Sequence, residues 1–385
     1  MKRLLLLMGL MAALISCSDD GDDAPRPGRA VLVYMAANNN LGDGGSATSD
    51  LREMMEGSKT LAAENRLYVF LRHRNTTCIY QVLRGDTIRL HAFEDGTRSS
   101  DSRTLHRALA WMMSEAEDAD DYGLVLWGHS TGWEVKGPGT AGSRRRAYDQ
   151  ERADGTYAYM DIADMAEALD GLPRLRFIFA DCCVFQCVET AYELRSAADY
   201  IVGSPAEIPN DGAPYNTVVP ALFGRGEAFY EAIVDCYYND YSGRLPLSVI
   251  RTDQLDPLAA ATSTAMGTFV TAGEYQQTDS LIYYFDRNMV DMNDYIRTNA
   301  TGEVYSTWRE QFDRAVVYKR FAATWMTDAV GQHVRFGDFK ATEEKYGGMS
   351  MFVYQQPTTT FLRSLNANIS QTGWYGAARL KDFGW

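Results

Sequence analysis

Leu124-Val125-Leu126-Trp127-Gly128-His129-Ser130-Thr131-Gly132 and Phe179-Ala180-Asp181-Cys182-Cys183 decide the reading of this 385-residue chain. Each is a short apolar run that stops abruptly at small or polar residues. A strand buried on both faces has that composition, whereas a strand with one wet face alternates. The same kind of run recurs outward at Ala30 to Met35, Leu67 to Arg72 and Tyr200 to Gly203. Ser49 to Met55, Asp161 to Leu169 and Val188 to Ala197 read as helices, and Ser102 to Glu117 carries Leu105, Leu109 and Met112 on one face. Thr77 to Leu83 and Thr87 to Ala92 are an expected hairpin turned at Gly85-Asp86. Strands alternating with helices predict an α/β fold, a mostly parallel sheet flanked by helices. In such sheets chemistry sits at the carboxyl ends of the strands. His129 and Cys183 both stand there.

Beyond Tyr215 the pattern is coarser. Leu247 to Ile250 reads as a strand, 255–330 as mainly helical and Gly348 to Tyr354 as strand-like. The expected division is a main domain over 29–244 and a smaller C-terminal subdomain of the same unit over 245–385.

The amino terminus sets the compartment. Met1-Lys2-Arg3 and the apolar run Leu4 to Ile15 have signal-peptide form, and the run is too short to span a membrane. Ser16-Cys17 ends it as a bacterial lipobox does, with residues 1–16 removed and Cys17 acylated. The acidic, Gly- and Pro-containing stretch 17–28 is an expected disordered tether. The predicted location is therefore the outer membrane, reached through a lipid anchor only, and the tether resembles surface-display signals.

Removal of residues 1–16 takes away Lys2 and Arg3 and no acid, moving the formal net charge from -14 to -16. An acidic exported chain excludes nucleic acid as a partner and suits cationic ones. Besides Cys17, five cysteines remain, at 78, 182, 183, 187 and 236. An odd number without paired spacing is no disulfide framework, and three of them fall within six residues.

Two motifs compete at His129. Gly128-His129-Ser130-Thr131-Gly132 fits the G-x-S-x-G elbow of a serine hydrolase, which needs a helix directly after the serine. Here the chain continues Trp133-Glu134-Val135-Lys136-Gly137-Pro138-Gly139, which reads as loop, and His333 is the sole histidine downstream. The alternative takes His129 as a general base and Cys183 as its nucleophile, a pairing that suits neighbouring strand ends. Cys187 and Cys182 read as buried packing residues.

Four segments carry a resemblance to the clostripain family of caspase-like cysteine peptidases: Val31 to Leu41, Leu124 to Trp133, Phe179 to Glu189, and Tyr200 to Gly212 with Pro214-Tyr215. Weaker likeness continues from Gly347 to Tyr375. The resemblance implies a caspase-like sheet and a cysteine endopeptidase cutting proteins or peptides after Arg or Lys. The Asp-x-Cys spacing makes Cys183 the nucleophile. Asp181 and Asp211 match the acids that hold the basic side chain, and main-chain N–H groups at Gly128 and Ser130 are the expected oxyanion donors. The family usually has glycine where this chain has Ser130, a cost if that position needs a positive φ. Relatives are commonly activated by cutting themselves after a basic residue in the loop that here contains Lys136, Arg144, Arg145 and Arg146. No cofactor is expected to be required and no metal site is read. Calcium dependence occurs in some relatives, but the chain has no Asp-rich calcium loop. The expected state is a monomer. The competing readings are an inactive surface binding lipoprotein and a serine hydrolase using Ser130.

Overall fold

The structure is a computed structural model and describes residues 28–133, 148–153, 155–285, 289–326, 333–335 and 342–385. Cys17 with its tether, Lys136 and Arg144 to Arg146 lie outside the described residues.

In chain order the elements that build the site are β1 (Arg29–Ala36), α1 (Asn40–Gly44), α2 (Ser46–Ser58), β2 (Arg66–His73), β3 (Thr76–Leu83), β4 (Asp86–Ala92), α3 (Ser102–Glu115) and β5 (Asp121–Trp127). Then follow the hairpin β6 (Tyr148–Ala153) and β7 (Thr156–Met160), α4 (Ile162–Leu169), β8 (Leu175–Asp181), α5 (Val188–Glu193), β9 (Ala198–Gly203), α6 (Tyr215–Leu222) and α7 (Phe229–Asp240). The rest includes β10 (Leu247–Arg251), α8 (Leu255–Met266), β11 (Met289–Asp291), α9 (Met292–Asn299), α10 (Gly302–Ala315), β12 (Val316–Arg320) and a short strand Ser350–Phe352.

The main sheet has nine strands in the order β12-β10-β9-β8-β5-β1-β2-β3-β4. Its five central strands, β9-β8-β5-β1-β2, are parallel, and an antiparallel pair extends each side. All eight residues of β1 are buried. Ala30, Leu32 and Tyr34 face one layer of core with α3, α4, α5, α8 and α10, while Val31, Val33 and Met35 face the other with α2, α6 and α7. Two-sided burial is why β1 and β5 read as unbroken apolar runs.

Residues 247–251 and 316–320 add strands to this same sheet. Ser350–Phe352 pairs with β11, and the Ser350 N–H donates to the Gln186 carbonyl at 3.0 Å. The C-terminal region is thus packed directly on the segment that follows Cys183. Among the described residues no helix is long and apolar enough to cross a membrane.

Candidate active site

The last paired rung of β5 and β8 joins Trp127 to Asp181, so the residues after each strand leave the sheet side by side. The Gly128 N–H adds one long bond, 3.4 Å, to the Asp181 carbonyl. Beyond it the two loops touch. Gly132 has φ +74, and a Cβ there would lie 2.8 Å from the Val184 oxygen and 3.1 Å from Cys187 Sγ. Only glycine lets the histidine loop lie so close to the cysteine loop. Val184, next to Cys183, holds a φ of 52°, an outlier for a β-branched residue and a place where the fold stores strain.

His129 and Cys183 line one cleft, with Trp127, Gly128, Asp181 and Ile208 among its walls. His129 is partly exposed, and its Nε2 lies 2.8 Å from Asn40 Oδ1. Cys183 keeps part of its surface toward the cleft, and the Ile208 N–H points at its sulfur from 3.4 Å. Burial pushes the thiol up to about 12, the Ile208 N–H opposes it, and the Glu207 and Asp181 carboxylates add to it. Burial therefore favours the neutral thiol over the thiolate.

Asp181 lies in the cleft wall but is itself buried. Its Oδ2 accepts from the Ala213 N–H at 3.1 Å and the Tyr215 hydroxyl at 2.8 Å, and its Oδ1 accepts from the Tyr237 hydroxyl at 2.9 Å. Burial raises its pKa and these three donors oppose the rise. Gly212 (φ +61) crosses above it, where a Cβ would come within 2.8 Å of Oδ2. Asp211 is exposed on this loop and is not among the residues lining the cleft.

Ser130 is buried, its Oγ accepts from the Gly132 N–H at 3.0 Å, and it takes no positive φ. Residues 131–133 form no helix, so the elbow geometry of a serine hydrolase is absent. Cys182 and Cys187 are buried, the latter donating to Thr190 Oγ1 at 3.0 Å. Among the described residues no group of three or more His, Cys, Asp or Glu is placed to hold a metal ion.

Sequence patterns of the clostripain family match residues 33–379.

The chain belongs to the clostripain family.

Solved structures agree. A secreted C11 cysteine protease from Bacteroides thetaiotaomicron, in complex with an irreversible peptide inhibitor, superposes with a TM-score of 0.78 at 26% identity, covering 92% of this chain and 99% of that one. An inactive zymogen C11 protease from Parabacteroides distasonis gives 0.71 at 27%, covering 92% and 98%. A cysteine protease from Bacteroides fragilis gives 0.53 at 31%, covering 61% and 98%. No curated protein sequence matches the chain significantly. This clostripain-family protein is a cysteine peptidase with the caspase-like sheet expected of it.

Two site neighbours were not legible in its sequence. Asp50, on α2, accepts from the Trp127 indole N–H at 2.6 Å directly behind the cleft wall. Burial pushes its carboxyl up to about 8, with Asp181 the next cause. Asn40 meets His129 from the turn after β1. The run Asn38-Asn39-Asn40 at a strand end was the only available signal.

Proposed function

We propose that the protein is an exported endopeptidase that cuts after Arg or Lys, with Cys183 as nucleophile and His129 as its base and acid. The observation that supports this most is the β5–β8 register, which sets both residues on one cleft whose wall includes the buried Asp181. His129 takes the thiol proton as Cys183 attacks the scissile carbonyl, then returns it to the leaving amine. Water releases the acyl group. The main-chain N–H groups of Ser130 and Cys183 are the proposed oxyanion donors, one such donor being worth about 3 kcal/mol. That of Gly128 is engaged by the Asp181 carbonyl.

The buried Asp181 in the cleft wall, with Asp211 on the loop above, suits a guanidinium or ammonium at that end of the cleft. A neutral thiol in a small cleft fits a precursor that matures by cleavage at Lys136, Arg144, Arg145 or Arg146. Lipid anchoring at Cys17 would hold the enzyme at the outer membrane with protein or peptide substrates around it.

The test is cleavage of Arg and Lys peptide amides and a nitrophenyl ester by residues 18–385 as wild type, Cys183→Ala and Ser130→Ala. Loss of amide cleavage with Cys183→Ala alone supports the proposal. Ester hydrolysis lost with Ser130→Ala alone overturns it.

A further inference from the structure

We propose that Asn40 is a positioning residue that holds the His129 imidazole in one tautomer and one orientation; this rests on His129 acting as the base. Asn40 opens α1, in the turn leaving the carboxyl end of β1, and β1 pairs with β5 up to Met35 and Trp127. Its Oδ1 lies 2.8 Å from His129 Nε2. An amide oxygen only accepts, so Nε2 carries the hydrogen. In the neutral ring the lone pair is then on Nδ1, which becomes the atom that takes the thiol proton.

The turn that carries Asn40 is fixed on both sides. Asn38 accepts from the Arg74 N–H at 3.2 Å and donates to the Arg152 carbonyl at 3.2 Å. Asn39 caps α1, accepting from the Leu41 N–H at 3.0 Å and donating to the Ala36 carbonyl at 2.9 Å. Gly42 is pressed so close that a Cβ would lie 1.9 Å from the Ala37 oxygen. His129 is fixed in turn by its own carbonyl, which accepts from the Asp149 N–H at 2.9 Å. Two pinned main chains therefore aim these two side chains at one another. An exposed hydrogen bond of this kind adds little stability, so its value lies in orientation.

The titratable groups around the pair are Asp181 and Cys183 on the β8 side, Glu207 beyond the thiol, and Asp149 and Glu151 behind. Asp43, at the other end of α1, is bound by Arg74 and Arg152. An aspartate at position 40 would place a new charge directly on Nε2–H and favour the imidazolium.

The experiment compares wild type, Asn40→Ala, Asn40→Asp and His129→Ala. Turnover of an Arg peptide amide is read with the pH dependence of Cys183 alkylation by iodoacetamide, which needs no turnover. Asn40→Ala is expected to lower kcat about tenfold with KM held within about twofold. Asn40→Asp is expected to recover most of that loss, to move the acid limb of the turnover profile to higher pH, and to alkylate faster at neutral pH than Asn40→Ala, because an imidazolium beside the thiol favours the thiolate. Full activity in Asn40→Ala, or equal loss in both variants with an unmoved limb, overturns the proposal. If His129→Ala itself keeps full activity, the underlying assignment of the base fails instead.

Discussion

The main-chain N–H of Asp149 donates to the His129 carbonyl at 2.9 Å, and Asp149 does so from a left-handed φ of 61°. Such a φ costs a non-glycine residue on the order of 1 kcal/mol, least for Asp and Asn. The side chain is fully buried and its Oδ2 accepts from the Ser99 hydroxyl at 2.6 Å. Next to it the Tyr148 hydroxyl lies 3.1 Å from the carbonyl oxygens of Tyr34 and Trp127. The start of the β6–β7 hairpin thus braces the histidine loop from behind.

Asp149→Ala should therefore impair turnover more than binding. The expected loss in kcat is about tenfold, because small misplacement of a reacting group is costly. Asp149→Asn keeps both the Ser99 contact and tolerance of this φ, and should stay close to wild type. Steady-state kinetics on a single peptide amide checks the split, with a thermal melt to confirm folding. Equal damage from the two substitutions would remove the bracing role.

The buried carboxyls predict an unusual pH dependence of stability. Burial pushes Asp50 up to about 8 and Asp149 and Glu189 up to about 7. Between the ordinary carboxylate range, about 4, and these values, the folded state holds protons that the unfolded state has released. Stability should fall as pH rises through that window. Asp235 and Asp101, held low by Arg320 and Arg103, act in the opposite sense but only below it. The melting temperature should be higher at pH 5.5 than at pH 8.5, and Asp50→Asn should flatten the difference. A melting temperature that climbs steadily to pH 8.5 would contradict this.

Because burial pushes the Cys183 thiol up to about 12, the intact chain should react slowly with iodoacetamide at neutral pH. The rate should still be rising at pH 9.5. A plateau below pH 8 would instead mean a preformed thiolate–imidazolium pair, detectable by mass mapping of Cys183 against time.

Gly212→Ala brings a methyl group onto Asp181 Oδ2 and strains a φ of +61. If Asp181 helps hold the basic side chain, KM for an Arg peptide should rise at least about fivefold while the melt moves little. Unchanged KM would separate Asp181 from substrate recognition.

Much of this was readable in the chain. The apolar runs of β1, β5 and β8 announced a two-sided sheet because burial on both faces leaves no alternation to hide them. The hairpin 148–160 was not readable. Asp149, Gln150 and Glu151 are buried polar residues whose partners, such as Arg72 and Ser100 for Glu151, come from distant segments. The α6 and α7 helices escaped for a related reason: their apolar positions pack on a layer assembled from α2 and strands far away in the chain. The helix expected to run to Ala197 ends at Glu193, where the chain turns back with the Ala197 N–H donating to the Leu194 carbonyl. Asn40 and Asp50 could not be found by spacing, being 89 and 77 residues from His129 and Trp127. The Asp-x-Cys spacing pointed to Cys183, which lines the cleft, and not to Cys182, which is buried.

The most direct test of the central claim is to treat the protein with a peptide chloromethyl ketone ending in Arg and map the adduct by mass spectrometry, in wild type and His129→Ala. The account predicts a single adduct on Cys183, much slower without His129, and weaker labelling by an analogue ending in Glu. An adduct on Ser130 or another cysteine, or labelling indifferent to both His129 and the terminal residue, would contradict it.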